Sequence, residues 1–301
     1  MSNDHRKGIF WACVAALGTA SFVVPWKVAS GYGDTATNTL ILLAAAALFN
    51  SAATVAQQRT IPRFRRFDFW VAMSLAVLTL LGNLASAHAI ALVSPSLLTV
   101  VQRSEVIIVA LLAWPILAER VEKRYWIGAG IAGIGLVVLN DPFSDGDGAN
   151  RGVLWAIASA ICFSALAVVT RKFIHRIDMI SVNALRLWLA VGLWFVFNGF
   201  PASLQQINGH QVLYASLAAF FGPFLGRLSL MTSARYVEAR VTSLTSLTSP
   251  PLTLLLAWIL LSDLPSTLEM QGSAIMLFGI AIPLLGWLKP WRVESSTNIQ
   301  N

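Results

Sequence analysis

Glu105 is a lone carboxylate inside a long apolar block, residues 93–117, and Arg103 lies two positions before it. On a continuous helix rising 1.5 Å per residue, both sit roughly 15 Å from either end. Charges at that depth are costly in a membrane segment and point to a substrate or ion pathway. Two positions are about 200° of helical rotation, so the pair does not face itself. Gln102 and Glu105 fall on one stripe with Leu98 and Val109, and Arg103 falls on another with Thr99. At least one charge therefore needs a partner on another helix or in a wet cavity. Two chemistries are open to the patch. One is a structural ion pair between helices. The other is contact with a substrate and a coupling proton, because a carboxylate away from water stays charged only when a cation offsets it.

A second candidate is the run from Thr242 to Pro251 (TSLTSLTSPP). Pro250 and Pro251 have no N–H, so the carbonyls of Ser246 and Leu247 lose their intrahelical donors. Ser249 is adjacent, and hydroxyls, water or cargo would have to satisfy the break. An interrupted helix at mid-membrane is a pointer to a transporter's binding site; a plain kink satisfied by neighbouring Ser and Thr is the simpler reading. Arg186 and Arg227 count only about 10 Å from the inner end of their spans, a depth from which a long stem can snorkel. Lys27 is expected as an interface anchor, His88 as hydrogen-bonded near the outer end, and Trp114 and Trp258 as interfacial anchors. Lys27, Arg103, Arg186 and Arg227 stand against Glu105 within the blocks. A cavity collecting even two of these cations favours an anion or a carboxylate-bearing zwitterion. A lipophilic cation would want unopposed carboxylates and aromatic walls.

These residues must be positioned by membrane helices. The chain has 301 residues, is 56% hydrophobic and only 12% charged, against about 25% charged in a soluble domain. Its apolar residues form ten blocks at 8–29, 37–57, 69–90, 93–117, 125–140, 152–173, 180–198, 212–234, 239–261 and 268–288. Blocks of about 20 residues cross a hydrocarbon layer as helices. A barrel would need alternating segments of about ten residues. Cys13 and Cys162 lie inside blocks and read as small packing residues.

The net charge of +7 is not a nucleic-acid surface. The cations gather in alternate loops, from Arg6 and Lys7 through Arg59, Arg63, Arg65 and Arg66, Arg120, Lys123 and Arg124, Arg171, Lys172 and Arg176 to Lys289 and Arg292. The opposite loops hold Arg151 among Asp34, Asp141, Asp145 and Asp147. This bias predicts a multi-pass protein of the cell inner membrane with both termini cytoplasmic.

The blocks repeat. Gly8, Trp11, Gly82, Trp114, Glu119, Gly128 and Gly135 recur 144 positions later as Gly152, Trp155, Gly226, Trp258, Asp263, Gly272 and Gly279. Each copy holds five blocks, an odd number, so the copies must thread the bilayer in opposite directions. Asn83 and Arg227 occupy matching places, and both are expected to border a shared cavity. The first block has the basic start of a leader peptide, but it copies the sixth block and so reads as a helix of the fold. The linker between halves, Asp141 to Asn150, has turn composition. It lacks the later glutamate of a calcium loop.

Each half ends in a pattern similar to the EamA-type repeat of the drug/metabolite transporter superfamily. The first copy is Leu111 to Glu119 (LLAWPILAE) followed by Gly128, Gly133 and Gly135. The second is Pro251 to Asp263 (PLTLLLAWILLSD) followed by Gly272 and Gly279. The stretch Ser21 to Lys27 also resembles the end of that family's first helix. The resemblance implies an all-α fold of ten transmembrane helices in two inverted five-helix repeats, 8–140 and 152–288. It implies that the third, fourth, eighth and ninth helices line a central cavity. The sequence departs from the pattern where Arg103 to Val106 replaces a proline and where Asp263 replaces a glutamate. The family exports amino acids, metabolites and drugs.

The expected function is a secondary transporter that exports a small metabolite, an amino acid or organic anion, by alternating access with proton coupling. Its expected site is Glu105, Arg103, Gln102, Asn83, Arg227, Ser246, Ser249 and Pro250. The alternative is a multidrug or cationic-compound exporter using Glu105 as proton and cation site. No metal or cofactor is expected, nor any nucleic-acid partner; the partners are the lipid bilayer and a small-molecule substrate. An intramembrane enzyme is disfavoured because neither His-Glu-x-x-His nor Gly-x-Ser-x-Gly occurs.

Overall fold

A computed structural model describes residues 3–58, 64–117, 123–139, 147–173, 176–200, 207–233, 236, 249–262 and 266–287. Among the described residues, all regular structure is helical. The helices are α1 (Asn3–Ser30), α2 (Thr35–Gln58), α3 (Arg66–Leu92), α4 (Pro95–Gln102), α5 (Glu105–Leu117), α6 (Lys123–Leu139), α7 (Asp147–Phe173), α8 (Met179–Asn198), α9 (Gly209–Ala219), α10 (Arg227–Ser233), α11 (Ser249–Leu261) and α12 (Thr267–Trp287). A widened π-helical segment, Phe220–Gly226, joins α9 to α10. Six stretches among the described residues are long and apolar enough to cross a membrane: Arg6–Ser30, Thr35–Ala56, Arg66–Leu92, Asn150–Thr170, Ile180–Asn198 and Gly209–Leu230.

Polar residues start several of these helices by occupying their orphan N–H groups. Asp34 accepts from the Thr37 N–H, Ser94 from Leu97, Asp178 from Ser181 and Asn208 from His210. Pro95 fills the first position of α4, where no N–H is needed.

The surface is oily and the interior holds the polar groups. Phe10, Leu17, Trp70, Leu154, Val196, Phe197 and Phe278 are exposed, while Asn38, Asn50, Thr79, Asn183 and Arg186 are buried. A large apolar surface of this kind suits a lipid solvent. The interior amides are matched: Asn183 Nδ2 donates to Asn50 Oδ1 at 2.7 Å, and Trp194 Nε1 donates to the Ala36 carbonyl at 2.9 Å. Chain numbers rise along α2 as they fall along α8, so this pair packs antiparallel.

One pair of helix starts keeps the spacing seen in the sequence. Met179 begins α8 144 positions after Thr35 begins α2. Contacts are reciprocal as well. A Cβ on Gly82 would lie 3.2 Å from Cys162 Cβ, and one on Gly226, its repeat equivalent, 3.5 Å from the N of Thr19 on α1. Gly18, the equivalent of Cys162, has Gly226 Cα 3.0 Å from its own Cβ position. These glycines let α3 press on α7, and the π segment on α1.

Three features differ from the sequence reading. The fourth block is two helices, with Arg103 and Ser104 in a turn between them. Lys27 is not an interface anchor: its Nζ donates to the Ile90 carbonyl at 2.7 Å and the Val93 carbonyl at 3.0 Å, at the C-terminal end of α3. Cys13 is exposed rather than packed.

Candidate functional site

The break in the fourth block builds the site. α4 ends at Gln102, and Arg103 caps it with φ −67° and ψ −15°. The Arg103 N–H reaches both Thr99 and Val100 carbonyls, at 3.2 and 3.0 Å, and Ser104 N–H turns back to Val101 at 3.1 Å. The Ser104 hydroxyl donates to the same Val101 carbonyl at 2.7 Å. These three-residue bonds tighten the turn, and a serine hydroxyl competes with the helix ladder. No proline is involved. α5 then starts afresh, with Ile107 and Ile108 both donating to the Ser104 carbonyl at 3.0 Å.

The break has an electrostatic logic. Arg103 stands at the C-terminal, negative end of α4, and Glu105 stands in the first turn of α5, the positive end. Each charge is placed where a helix dipole favours it. The stripe drawn through Leu98, Gln102, Glu105 and Val109 assumed one continuous helix and does not hold. Ser164 of α7 donates to the Glu105 carbonyl at 3.2 Å, bracing the new start.

Around the break the structure gathers charge. Glu105 lies within electrostatic reach of both Arg103 and Arg227, and Arg186 within reach of Arg227. Arg227 begins α10 directly after the π segment, whose extra width follows from Pro223 and its missing N–H. Its own N–H reaches back to the Gly222 carbonyl. Four ionisable side chains from three separate stretches of chain thus form one string, Arg103–Glu105–Arg227–Arg186.

Other expected residues are placed as follows. Gln102 Nε2 bridges Ser86 of α3 and Ser159 of α7, each at 3.3 Å. Asn83 is buried and donates to its own helix at the Thr79 carbonyl, 2.7 Å away. Ser249 is buried, and Pro250 and Pro251 follow it in α11. Ser246 lies outside the described residues, as does the carbonyl of Leu247. His88 does not bury itself in hydrogen bonds: it is exposed and stacks on Trp155, with centroids 4.9 Å apart. Trp258 is exposed.

Arg186 was read as a snorkelling side chain and is instead 5% exposed, with Nε lacking a hydrogen-bond partner. The signal that could have found it is Asn183, one turn earlier on the same face and also buried. Two buried hydroxyls are similarly unmatched: Ser229 Oγ, two residues beyond Arg227, and Thr253 Oγ1, one turn beyond Ser249.

An oily surface, a repeated helical unit and charges held at an interior break define a multi-pass membrane protein of the transporter class. The chain belongs to the EamA-like transporter family, which it matches over residues 6–141 and again over 150–285. It is 25% identical over 187 residues to an S-adenosylmethionine uptake transporter of Rickettsia felis; the match covers 60% of this chain and about three fifths (59%) of that protein. A solved crystal structure superposes with a TM-score of 0.65, covering 92% of this chain and 96% of its own at 19% identity, which is a likeness of fold.

Proposed function

We propose that this protein is a secondary carrier of the cell inner membrane that moves a small carboxylate-bearing metabolite, of the amino-acid kind, by alternating access. The observation that carries this is the interior string of three guanidiniums and one carboxylate around the α4–α5 break. A cavity with that balance attracts a carboxylate and leaves one anionic group for an ammonium. It gives little to a lipophilic cation that brings no carboxylate, since three guanidiniums outweigh the single acid. The cargo in the printed name of the Rickettsia felis relative is itself an amino-acid derivative, which supports the class.

The proposed architecture is ten helices in two inverted halves, 8–140 and 152–288, with both termini cytoplasmic. Supporting it are the antiparallel packing of α2 on α8, the matched starts of these two helices and the reciprocal glycine contacts. Rocking of the halves would expose the string to each side in turn. Glu105 is the proposed proton carrier, driving export of the metabolite in exchange for protons. An exchanger runs either way according to its gradients, so uptake by a relative is compatible with this mechanism.

The test is counterflow in proteoliposomes. Vesicles loaded with unlabelled amino acids or S-adenosylmethionine should accumulate the labelled compound, and Arg227→Gln should stop it. Glu105→Gln should weaken exchange and lose its acceleration by a proton gradient. Counterflow of lipophilic cations, with none for carboxylated compounds, would refute the proposed cargo class.

A further inference from the structure

Arg186 is a buried cation with nothing described to balance it. It lies on α8, one turn from Asn183, on the side that meets α2 and α3. Asn183 is matched by Asn50 at 2.7 Å. Arg186 is 5% exposed and its Nε has no partner. The charge that acts on it, Arg227, has the same sign. Of the acids whose side chains are described, Asp34, Asp68 and Asp178 accept backbone N–H groups at the starts of α2, α3 and α8. Glu105 acts on Arg103 and Arg227 and not on Arg186.

A guanidinium out of water, beside a second one, is unstable unless an anion joins them. Arg is suited to that task, since its planar fork binds a carboxylate through two parallel bonds. The remaining acid, Glu105, lies on the other side of Arg227 in the string. We propose that Arg186 and Arg227 form a two-guanidinium clamp for the carboxylate of the cargo, leaving Glu105 to meet its ammonium group. This rests on the carrier reading above and deepens it: the ligand is an α-amino acid or a derivative with both groups free, and Arg186 sets the preference for the carboxylate.

The experiment uses full-length protein in lipid nanodiscs and two ligand pairs differing by one carboxylate. These are L-methionine against 3-(methylthio)propylamine, and S-adenosylmethionine against its decarboxylated form. Wild type should bind the carboxylated member of at least one pair more tightly. Arg186→Gln should weaken that member roughly 30-fold or more while leaving the decarboxylated one nearly unchanged. Arg186→Lys, which keeps the charge without the fork, should recover part of the loss and serves as the folded control. Loss of preference in Arg227→Gln but not in Arg186→Gln would overturn the clamp and leave the carrier site standing. Loss in neither variant, or no preference in wild type, would overturn both.

Discussion

Gln211 of α9 donates a 2.8 Å hydrogen bond to Asn38 Oδ1 of α2, and the repeat equivalents of these two residues are Phe67 and Val182. Asn38 in turn donates to the Ala29 carbonyl at 3.0 Å and the Gly33 carbonyl at 3.2 Å. Tyr32 stacks over the same corner, on His210 and on Tyr214. At the equivalent corner Phe67 meets Phe173 edge-on, with centroids 5.5 Å apart, and Val182 joins an apolar cluster with Val71 and Leu166. One corner is tied by amides and the other by hydrocarbon.

Gln211→Leu should therefore cost more than its lost contacts suggest. It leaves a buried carboxamide oxygen on Asn38 without a donor, a penalty of about 1–3 kcal/mol. Double replacement, Asn38→Leu with Gln211→Leu, should recover only part of it, because the orphaned oxygen is gone but the Ala29 and Gly33 carbonyls lose their donor. Thermal unfolding in detergent micelles checks both, and a double variant no more stable than the single would contradict the account.

The close glycines should rank by what they touch. A Cβ on Gly135 would lie 2.6 Å from the Met276 backbone N, and one on Gly18 would lie 2.8 Å from the Phe221 carbonyl oxygen. Backbone cannot step aside, so Gly135→Ala and Gly18→Ala should lose on the order of 1–3 kcal/mol through overpacking. Gly82→Ala meets the Phe163 ring at 3.0 Å, and a ring can rotate away. It should cost less. Gly130 and Gly133 have open space, and alanine there should be neutral or mildly stabilising. Melting temperatures of the five variants settle the order.

Lys27→Met removes the ammonium that satisfies the Ile90 and Val93 carbonyls. These lie at the end of α3, where a cation also favours the dipole. The expected loss is about 1–3 kcal/mol, with cargo affinity little changed. A large fall in affinity at unchanged stability would instead put Lys27 in the transport site.

Much of the helical scaffold was legible because apolar blocks and polar helix starts are local signals. The repeat spacing seen in Gly8 and Gly152 reappears in the starts at Thr35 and Met179. The break at Arg103–Ser104 was not legible. Neither proline nor glycine marks it, and the bonds that make it, from Ser104 and the Arg103 N–H, are ones any helical serine can form or decline. Arg186 was misread because depth along a helix says nothing about which way a face points. Asn183 carried that information, but only alongside a second polar residue on the same face.

Pro223 supplies the last test, since it separates the shape of α9–α10 from its stability. The proline lies inside the π segment with Gly222 and Gly226 against α1, where a Cβ on Gly222 would lie 2.8 Å from Phe22 Cγ. Its repeat equivalent, Thr79, sits in unbroken α3 and donates to the Leu75 carbonyl at 2.7 Å. Pro223→Ala restores an N–H and permits an ordinary ladder. If the segment tightens by one residue, every position beyond it turns by about 100°, and Arg227 leaves the string. The variant should thus melt at or above the wild-type temperature while losing roughly tenfold or more in affinity for a carboxylated cargo. Stability and affinity measured on the same preparation decide the matter. Equal affinity in a protein of equal stability would show that the wide turn does not aim Arg227.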